Sequence, residues 1–328
     1  MINKLEQIGF YTLSDERAKN ASVTSQMKRC EMILLEACNF KCPYCRGLKD
    51  YIYGDRKKKM LSLDQVKQNI DYWCEGEPLE NIRFSGGEPT LHPNIKEIIS
   101  YSKEKGIKRI AISTNGSNKT ELYKELIDLG VNDVSVSLDA CCAEDGDLMS
   151  GGVKGSWDIV VNNIKEMSKL TYVTVGVVLN ELNVDKTIDT IIFADSLGVS
   201  DIRIISAAQF NQALPRLNEV PEYIKKKYPI LNYRIDNFAN GLNVRGISEN
   251  DSHMCGLMLD DSVIAGSLHF PCVIYMREGG KPIGKVGPNM RRERYEFMKN
   301  FDTHKDTICK KNCLDVCRFY SNKYDHYH

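Results

Sequence analysis

Apolar residues follow two alternating patterns between residue 30 and about residue 206. Short runs rich in Ile, Val and Leu are typical of buried strands, and the longer segments between them repeat apolar positions every three or four residues, as amphipathic helices do. The predicted strands span 31–37, 81–85, 108–113, 133–138, 172–179 and 201–206. The predicted helical segments include 61–76, 94–106, 119–130 and 156–167.

The regular alternation of strand and helix predicts a mostly parallel sheet, because parallel neighbours need a crossover connection that a helix usually supplies. Six strand–helix units are too few for a closed eightfold barrel but enough for an open one. The predicted fold class is therefore α/β, a partial (β/α)6 TIM-like barrel over residues 30–210 with a small Cys-rich C-terminal domain.

The pattern changes after residue 206. Residues 207–232 predict a connecting segment with one helix, and beyond about residue 250 the chain is rich in Gly and Cys, with short strand-like pieces such as 262–270. We divide the chain into an N-terminal extension, the barrel, a connecting segment and a C-terminal domain, which span 1–29, 30–210, 211–250 and 251–328. So small a C-terminal domain buries little apolar area, and we expect it to be held by something other than a core.

Charge and hydropathy limit the classes of partner that we expect this chain to bind. The 44 Lys and Arg residues balance 44 Asp and Glu residues, so the chain lacks the net positive charge that drives general nucleic-acid binding. No run of about 18 apolar residues and no signal-peptide layout is present. We expect no general nucleic-acid partner, no membrane and a cytoplasmic location.

Twelve cysteines are unusual for such a chain. Cytosolic thiols stay reduced, so clustered cysteines predict metal or cofactor ligands rather than disulfides. Cys30 and Cys74 lack partners at ligand spacing and are predicted to pack in the core. The clustered cysteines are Cys38, Cys42 and Cys45 in one group, Cys309, Cys313 and Cys317 in a second, and Cys255 and Cys272 between the groups.

The first cysteine group follows the first predicted strand. It therefore lies at the C-terminal edge of the sheet, where parallel α/β folds carry their active sites. Three thiolates can hold a four-iron cluster and leave one iron open to a ligand that is not protein. A zinc site with three protein ligands is the alternative.

The spacing Cys-x3-Cys-x2-Cys, with Tyr44 before the last Cys, resembles the radical S-adenosylmethionine (SAM) superfamily. Ser85, Gly86, Gly87 and Glu88 close the second predicted strand and resemble the Gly-Gly-Glu motif of that family. Two glycines let backbone approach a ligand closely, and Glu88 with the edge carbonyls can accept hydrogen bonds from an ammonium group. The resemblance implies that this motif holds the methionyl amine of SAM and that Tyr44 also binds the cofactor.

Short polar side chains close the next two strands. The resemblance implies that they bond the ribose and carboxylate of SAM, although Asn115 with Gly116 is also a turn pattern and Asp139 could only cap a helix. No Arg near residue 139 is placed to pair with the SAM carboxylate. The predicted residues are Ser113 and Asn115 after the third strand, and Ser137 and Asp139 after the fourth.

The resemblance implies a [4Fe–4S] cluster with SAM at its open iron and an electron from a flavodoxin- or ferredoxin-type donor. Reductive cleavage of SAM then gives a 5′-deoxyadenosyl radical that abstracts hydrogen from a substrate. The C-terminal cysteines are similar to the SPASM or twitch extension of these enzymes. We expect one auxiliary [4Fe–4S] cluster on Cys255, Cys272, Cys313 and Cys317, with Cys309 competing, and a structural zinc is the alternative.

Cys141 and Cys142 follow Asp139 at the predicted mouth of the barrel, and these three are the candidate catalytic residues. As catalytic thiols they would donate hydrogen to a substrate radical, and otherwise they are small residues that open a helix. We favour oxidation or bond formation assisted by the auxiliary cluster. A short N-terminal extension favours a small-molecule substrate, such as a sugar, aminocyclitol or nucleotide. The alternatives are a peptide-modifying maturase or epimerase and a non-catalytic iron–sulfur or zinc protein.

Overall fold

The computed structural model describes residues 15–47, 60–207, 212–242 and 244–328. The strands are β1 (Arg29–Leu35), β2 (Asn81–Gly86), β3 (Arg109–Thr114), β4 (Asp133–Ser137), β5 (Tyr172–Leu179), β6 (Asp201–Ser206), β7 (Asp261–Ala265), β8 (Leu268–Phe270) and β9 (Gly284–Lys285). The helices are α1 (Asp15–Asn20), α2 (Leu63–Trp73), α3 (Ile95–Glu104), α4 (Thr120–Leu129), α5 (Ala143–Met149), α6 (Ser156–Ser168), α7 (Thr187–Ser196), α8 (Glu222–Lys227), α9 (Pro229–Ala239), α10 (Val273–Arg277), α11 (Met290–Asn300), α12 (Thr307–Asn312) and α13 (Asp315–Tyr327). None of the helices in these ranges is long and apolar enough to cross a membrane.

The predicted α/β fold is confirmed. Strands β1 to β6 pair in parallel with their sequence neighbours, within one sheet of order β6-β5-β4-β3-β2-β1-β7-β8-β9. Successive side chains of a strand face opposite sides of a sheet. On these strands the apolar positions, such as Phe84, Ile112 and Val134, are buried in a core shared with residues of helices α2, α3, α4, α6 and α7.

The other face of the same strands carries charge. Arg83 donates to a carboxylate oxygen of Asp133 at 3.1 Å, and Arg109 donates to the same oxygen at 2.8 Å. Arg29 pairs with Asp261 at 2.5 Å. Burial of such groups is tolerated because each charge meets an opposite one. The interior of the open barrel is therefore held by ion pairs as well as by apolar packing.

A seventh parallel strand extends the sheet beyond β1. Strand β7 pairs with β1 from Arg29 opposite Asp261 to Ile33 opposite Ala265, and β8 returns antiparallel to β7. Gly266, with φ +60°, makes the tight turn between β7 and β8. From the sequence, 262–270 was predicted to belong to a separate small domain. Its first strand, β7, instead continues the sheet of the barrel. The proposed domain boundaries remain predictions.

The C-terminal region shares a small apolar core with the N-terminal extension, and the expectation that something other than a core holds this region stays a prediction. The pattern missed this core because part of it comes from the N-terminal extension, in which helix α1 packs against α13. The connecting segment also differs from its prediction, since it contains two helices, α8 and α9. The buried core residues are Ala18, Ala21, Leu257, Met258, Leu259, Met298, Tyr320 and Tyr324.

Candidate active site

The first cysteine group lies in the irregular loop that follows β1. The amide of Cys45 donates to the carbonyl of Cys42 at 3.0 Å, which turns the loop back on itself. Two sulfurs accept backbone hydrogen bonds, Cys38 from the amide of Phe40 and Cys45 from the amide of Gly47, each at 3.4 Å. Hydrogen bonds to thiolate sulfur are among the contacts that set the potential of an iron–sulfur cluster.

The three thiols lie close enough to affect one another electrostatically. Burial, Asp139 and the other two thiols raise the pKa of Cys42 to about 12, and burial is the largest cause that raises the pKa of Cys38. Thiolates that repel one another are stabilised by a shared metal. No three His, Cys, Asp or Glu side chains in the described ranges form a preformed metal site. The fit of these residues to an iron–sulfur cluster therefore rests on their donor chemistry and proximity.

Gly86 and Gly87 bring the end of β2 against the backbone that leads into the cysteine loop. A Cβ at Gly86 would overlap the carbonyl oxygen of Leu35, and one at Gly87 would overlap that of Ala37. The amides of Gly87 and Glu88 donate to these same carbonyls at 2.8 and 2.9 Å. The glycines are thus required by this close approach of two backbones, whatever ligand they also meet.

Glu88 is buried, with 1% of its surface exposed. Its Oε1 accepts from the hydroxyls of Thr90 at 2.6 Å and Thr114 at 2.8 Å, and its Oε2 accepts from the amide of Asn115 at 2.7 Å. Burial raises the pKa of Glu88. The carboxylate therefore joins the ends of β2 and β3. Direct contact between Glu88 and the amine of SAM remains a prediction.

Asp139 holds the tyrosine of the cysteine loop. The hydroxyl of Tyr44 donates to Asp139 Oδ2 at 2.5 Å, and the amide of Val178 donates to Oδ1 at 2.6 Å. Burial raises the pKa of Asp139 to about 6. Both carboxylate oxygens are thus used within the protein. These contacts give Asp139 a positioning function and do not support the prediction that it reacts directly.

The predicted polar residues at the strand ends separate into two groups. Asn115 and Ser137 line a cavity of about 440 Å³ of atom-free space, together with Cys42, Asp139 and Trp157. This cavity lies at the C-terminal ends of β3 and β4, beside helix α6. Trp157 was not among the predicted site residues, because a Trp in an amphipathic helix usually packs in the core.

Ser85 and Ser113 belong to the other group, on the charged face of the sheet. Ser85 donates to Glu31 at 2.7 Å, and Ser113 accepts from Arg83 at 3.0 Å. Neither serine lines the cavity beside Trp157. Their prediction as SAM-binding residues therefore gains no support from these contacts.

The five C-terminal cysteines line one cavity, which encloses about 620 Å³ of atom-free space. Burial is the main cause of their raised pKa values, and neighbouring thiols add to it at four of the five, for example Cys255 at Cys272, whose pKa is raised to about 12. Four of these thiols suffice for a four-iron cluster or a zinc ion, so the residue set fits either group. The cavity residues are Cys255, Cys272, Cys309, Cys313 and Cys317.

The remaining cysteines lie outside both groups, and none of the twelve forms a disulfide. Cys142 donates to Asp145 at 3.2 Å, and Asp145 also pairs with Lys186. Burial, then the charges of Cys142 and of Asp189 in α7, raise the pKa of Cys141. Neither thiol lines the cavity beside Trp157. The prediction that one of them donates hydrogen to substrate therefore gains no support from these contacts.

A family model described as the Radical SAM superfamily matches residues 32–194. A putative glycyl-radical enzyme activating enzyme of Methanocaldococcus jannaschii is 30% identical over 217 residues, which cover 61% of this chain and 86% of that protein. Residues 32–194 include the cysteine loop, the Gly-Gly-Glu strand end and the polar strand ends described above. The chain belongs to the radical SAM superfamily.

Relatives whose names state a particular reaction match this chain over part of their length. A probable GTP 3′,8-cyclase of Saccharolobus islandicus (strain L.S.2.15 / Lassen #1) is 28% identical over 203 residues, 59% of this chain and 63% of the relative. The chain thus spans less than two thirds of that relative's length. The family implies a four-iron cluster and SAM as cofactors.

Solved structures share the fold of this chain, and the likeness extends over its C-terminal region. SuiB of Streptococcus suis, bound to the precursor peptide SuiA, has a TM-score of 0.59 at 14% identity and covers 96% of this chain and 81% of its own. The protein anSMEcpe, with bound AdoMet and a Kp18Cys peptide, has a TM-score of 0.58 at 16% identity and covers 92% of this chain and 97% of its own. At these identities the likeness concerns the fold.

Proposed function

We propose that this protein is an enzyme that uses SAM and two four-iron clusters to abstract hydrogen from a small molecule, followed by oxidation or bond formation. The observation that carries the proposal is that one sheet connects two thiol groups. Cys38, Cys42 and Cys45 follow β1, and the five C-terminal cysteines line one cavity, with Cys255 before and Cys272 after the β7–β8 hairpin that pairs with β1. Two thiol groups connected by one strand pair suit a cofactor pair better than two unrelated structural metals.

In this proposal the first cluster with SAM supplies a 5′-deoxyadenosyl radical, and the chain supplies positioning. Cys38, Cys42 and Cys45 hold the first cluster, and Tyr44 is fixed against Asp139 at 2.5 Å. Asn115 and Ser137 face the cavity in which the adenosyl part of SAM would lie. Four of the C-terminal cysteines hold the auxiliary cluster, with Cys309 competing for a place. A flavodoxin- or ferredoxin-type protein supplies the electron, and reduced thiols suit a cytoplasmic location.

Relatives named GTP 3′,8-cyclase favour a nucleotide among the small molecules. The second candidate is a peptide substrate, as for a peptide-modifying maturase or epimerase. It is favoured by the fold likeness to SuiB and anSMEcpe, both solved with peptides. Release of modified peptide in place of a modified nucleotide would decide for this second candidate.

Iron content tests the proposal. Protein reconstituted without oxygen should hold about eight irons, because two four-iron clusters need the two thiol groups. Changing Cys38, Cys42 and Cys45 together to Ala should leave about four irons and abolish release of 5′-deoxyadenosine from SAM after dithionite reduction. The Cys74→Ala control should keep about eight irons. Full iron retention in the triple variant, or zinc in the C-terminal site, would refute the two-cluster proposal.

A further inference from the structure

Three arginines meet at the C-terminal edge of the sheet, between the two thiol groups. Arg46 follows Cys45 and pairs with Glu278. Arg277, at the end of α10, donates to the carbonyl of Gly86 at 3.3 Å. Arg245 donates to Ser206 at the end of β6, to the hydroxyl at 2.9 Å and to the carbonyl at 2.8 Å. We call Arg46, Arg245 and Arg277 the arginine group.

The arginine group gathers positive charge. Glu278, the partner of Arg46, directly follows Arg277 in the chain, and burial, then Arg46 and Arg234, lower the pKa of Arg245 to about 10. Glu278 pairs with Arg46, and Asp315, which pairs with Arg234, also acts on Arg245. Like charges held together in a partly buried place favour the binding of an anion.

The position of the group also points to a substrate. Arg46 adjoins the first cysteine loop, and Arg245 forms a β-bridge with Leu314, which directly follows Cys313 of the C-terminal group. A molecule that reacts at the first site and passes an electron to the second must lie between them. Guanidinium groups bind carboxylate and phosphate through paired hydrogen bonds of fixed geometry.

We propose that Arg46, Arg245 and Arg277 bind an anionic group of the substrate, a carboxylate or a phosphate. This inference rests on the proposed function, since it requires a substrate between the two thiol groups. The carboxylate of SAM is the other source of the same chemistry. The experiment therefore measures anion binding with the SAM site already filled.

The probe is inorganic pyrophosphate, titrated into iron-loaded protein saturated with SAM and followed by calorimetry without reductant. We expect wild-type protein to bind it and Arg245→Gln and Arg277→Gln to bind at least about tenfold more weakly, because each loses a charged hydrogen-bond donor. Arg292→Gln removes the same charge from an exposed position of α11 and should leave the affinity unchanged. Arg277→Gln, at a partly exposed site, decides the matter if Arg245→Gln loses iron.

Pyrophosphate binding that occurs only without SAM would assign the arginine group to the SAM carboxylate and overturn the inference. Equal affinity in wild type, Arg245→Gln and Arg277→Gln would also overturn it. These outcomes are independent of turnover. The proposed function fails if reduced protein releases no 5′-deoxyadenosine, while the inference fails on pyrophosphate affinity alone.

Discussion

Glu88 shows how one buried carboxylate can hold together the strand ends that form a site. Its carboxylate accepts hydrogen bonds from Thr90 in the short turn after β2, from Thr114 at the end of β3 and from the amide of Asn115 just beyond it. Charged acceptors form stronger hydrogen bonds than neutral ones. We therefore expect Glu88 to fix the strand ends, and thereby the carbonyls at Gly86 and Gly87, in the place where SAM binds.

Replacing Glu88 with Gln tests this function. The amide keeps the volume but places an NH2 group opposite donors, so the strand ends should shift. We expect SAM affinity to fall about tenfold, which corresponds to about 1.4 kcal/mol, with iron content unchanged. Equilibrium dialysis with SAM measures the effect. Glu97→Gln, on the exposed side of α3, is the control. Wild-type affinity in Glu88→Gln would contradict the prediction.

His269 makes the stability of the fold depend on pH. Its imidazole is fully buried, Nε2 lies 2.9 Å from Glu293, and Nδ1 has no hydrogen-bond partner among the described residues. Burial, then Arg294, lower the pKa of His269 to about 3. The unfolded chain therefore binds more protons than the folded one between pH 3 and 6.5. Stability contributed by His269 is complete above pH 6.5 and is lost as the pH falls.

We expect acidification from pH 7.5 to 5.5 to lower the free energy of unfolding by about 1.4 kcal/mol more in wild type than in His269→Gln. Urea unfolding of iron-loaded protein at the two pH values, without oxygen, measures the difference. Other titrating groups are common to both proteins, so their contributions to the two losses cancel. Equal losses in the two proteins would show that His269 is not the group responsible.

At the scale of elements, a buried arginine fixes the hairpin between two cysteines. Arg294 of α11 is fully buried and donates to the carbonyls of Met258 at 2.8 Å, Asp261 at 2.6 Å and Phe270 at 2.8 Å. These carbonyls lie on both sides of the β7–β8 turn, within the stretch from Cys255 to Cys272. The guanidinium therefore sets the distance between two of the C-terminal thiols.

Changing Arg294 to Met should release the auxiliary iron selectively. The side chain keeps apolar volume but leaves the carbonyls without donors in a buried place, at a cost of roughly 3 kcal/mol. We expect about four irons to remain and 5′-deoxyadenosine release to persist, because the first cysteine loop is separate. Arg292→Gln on the same helix is the control. Retention of about eight irons in Arg294→Met would contradict this assignment.

Local patterns predicted most of the elements. Strands β5 and β6 coincide with the predicted 172–179 and 201–206, since a run of apolar, β-branched residues is a local signal. The cysteine loop could equally be predicted from the sequence, because its spacing is local. The arginine group was not, since Arg46 and Arg245 are far apart in sequence and meet only in the fold. The positioning function of Asp139 was hidden too, because a sequence does not show which carboxylates are already hydrogen-bonded.

At the scale of the whole molecule, β1 is the centre of the arrangement. It pairs with β2 on one side and β7 on the other, and the first cysteine loop begins where it ends. Two of the C-terminal thiols flank the hairpin of β7 and β8, Cys255 before it and Cys272 after it. Because this hairpin pairs with β1, the two thiol groups are connected by the sheet and not by a flexible linker.

The same strand pair has a consequence for how the protein is made. Strand β1 leaves the ribosome early, whereas β7 follows more than 200 residues later, and Arg29 meets Asp261 only then. Until that moment one edge of an apolar strand has no partner, and such edges invite aggregation. Late, long-range pairing also slows folding. Nascent chains should thus depend on chaperones until the hairpin closes the sheet, and iron delivery to both sites should follow that closure.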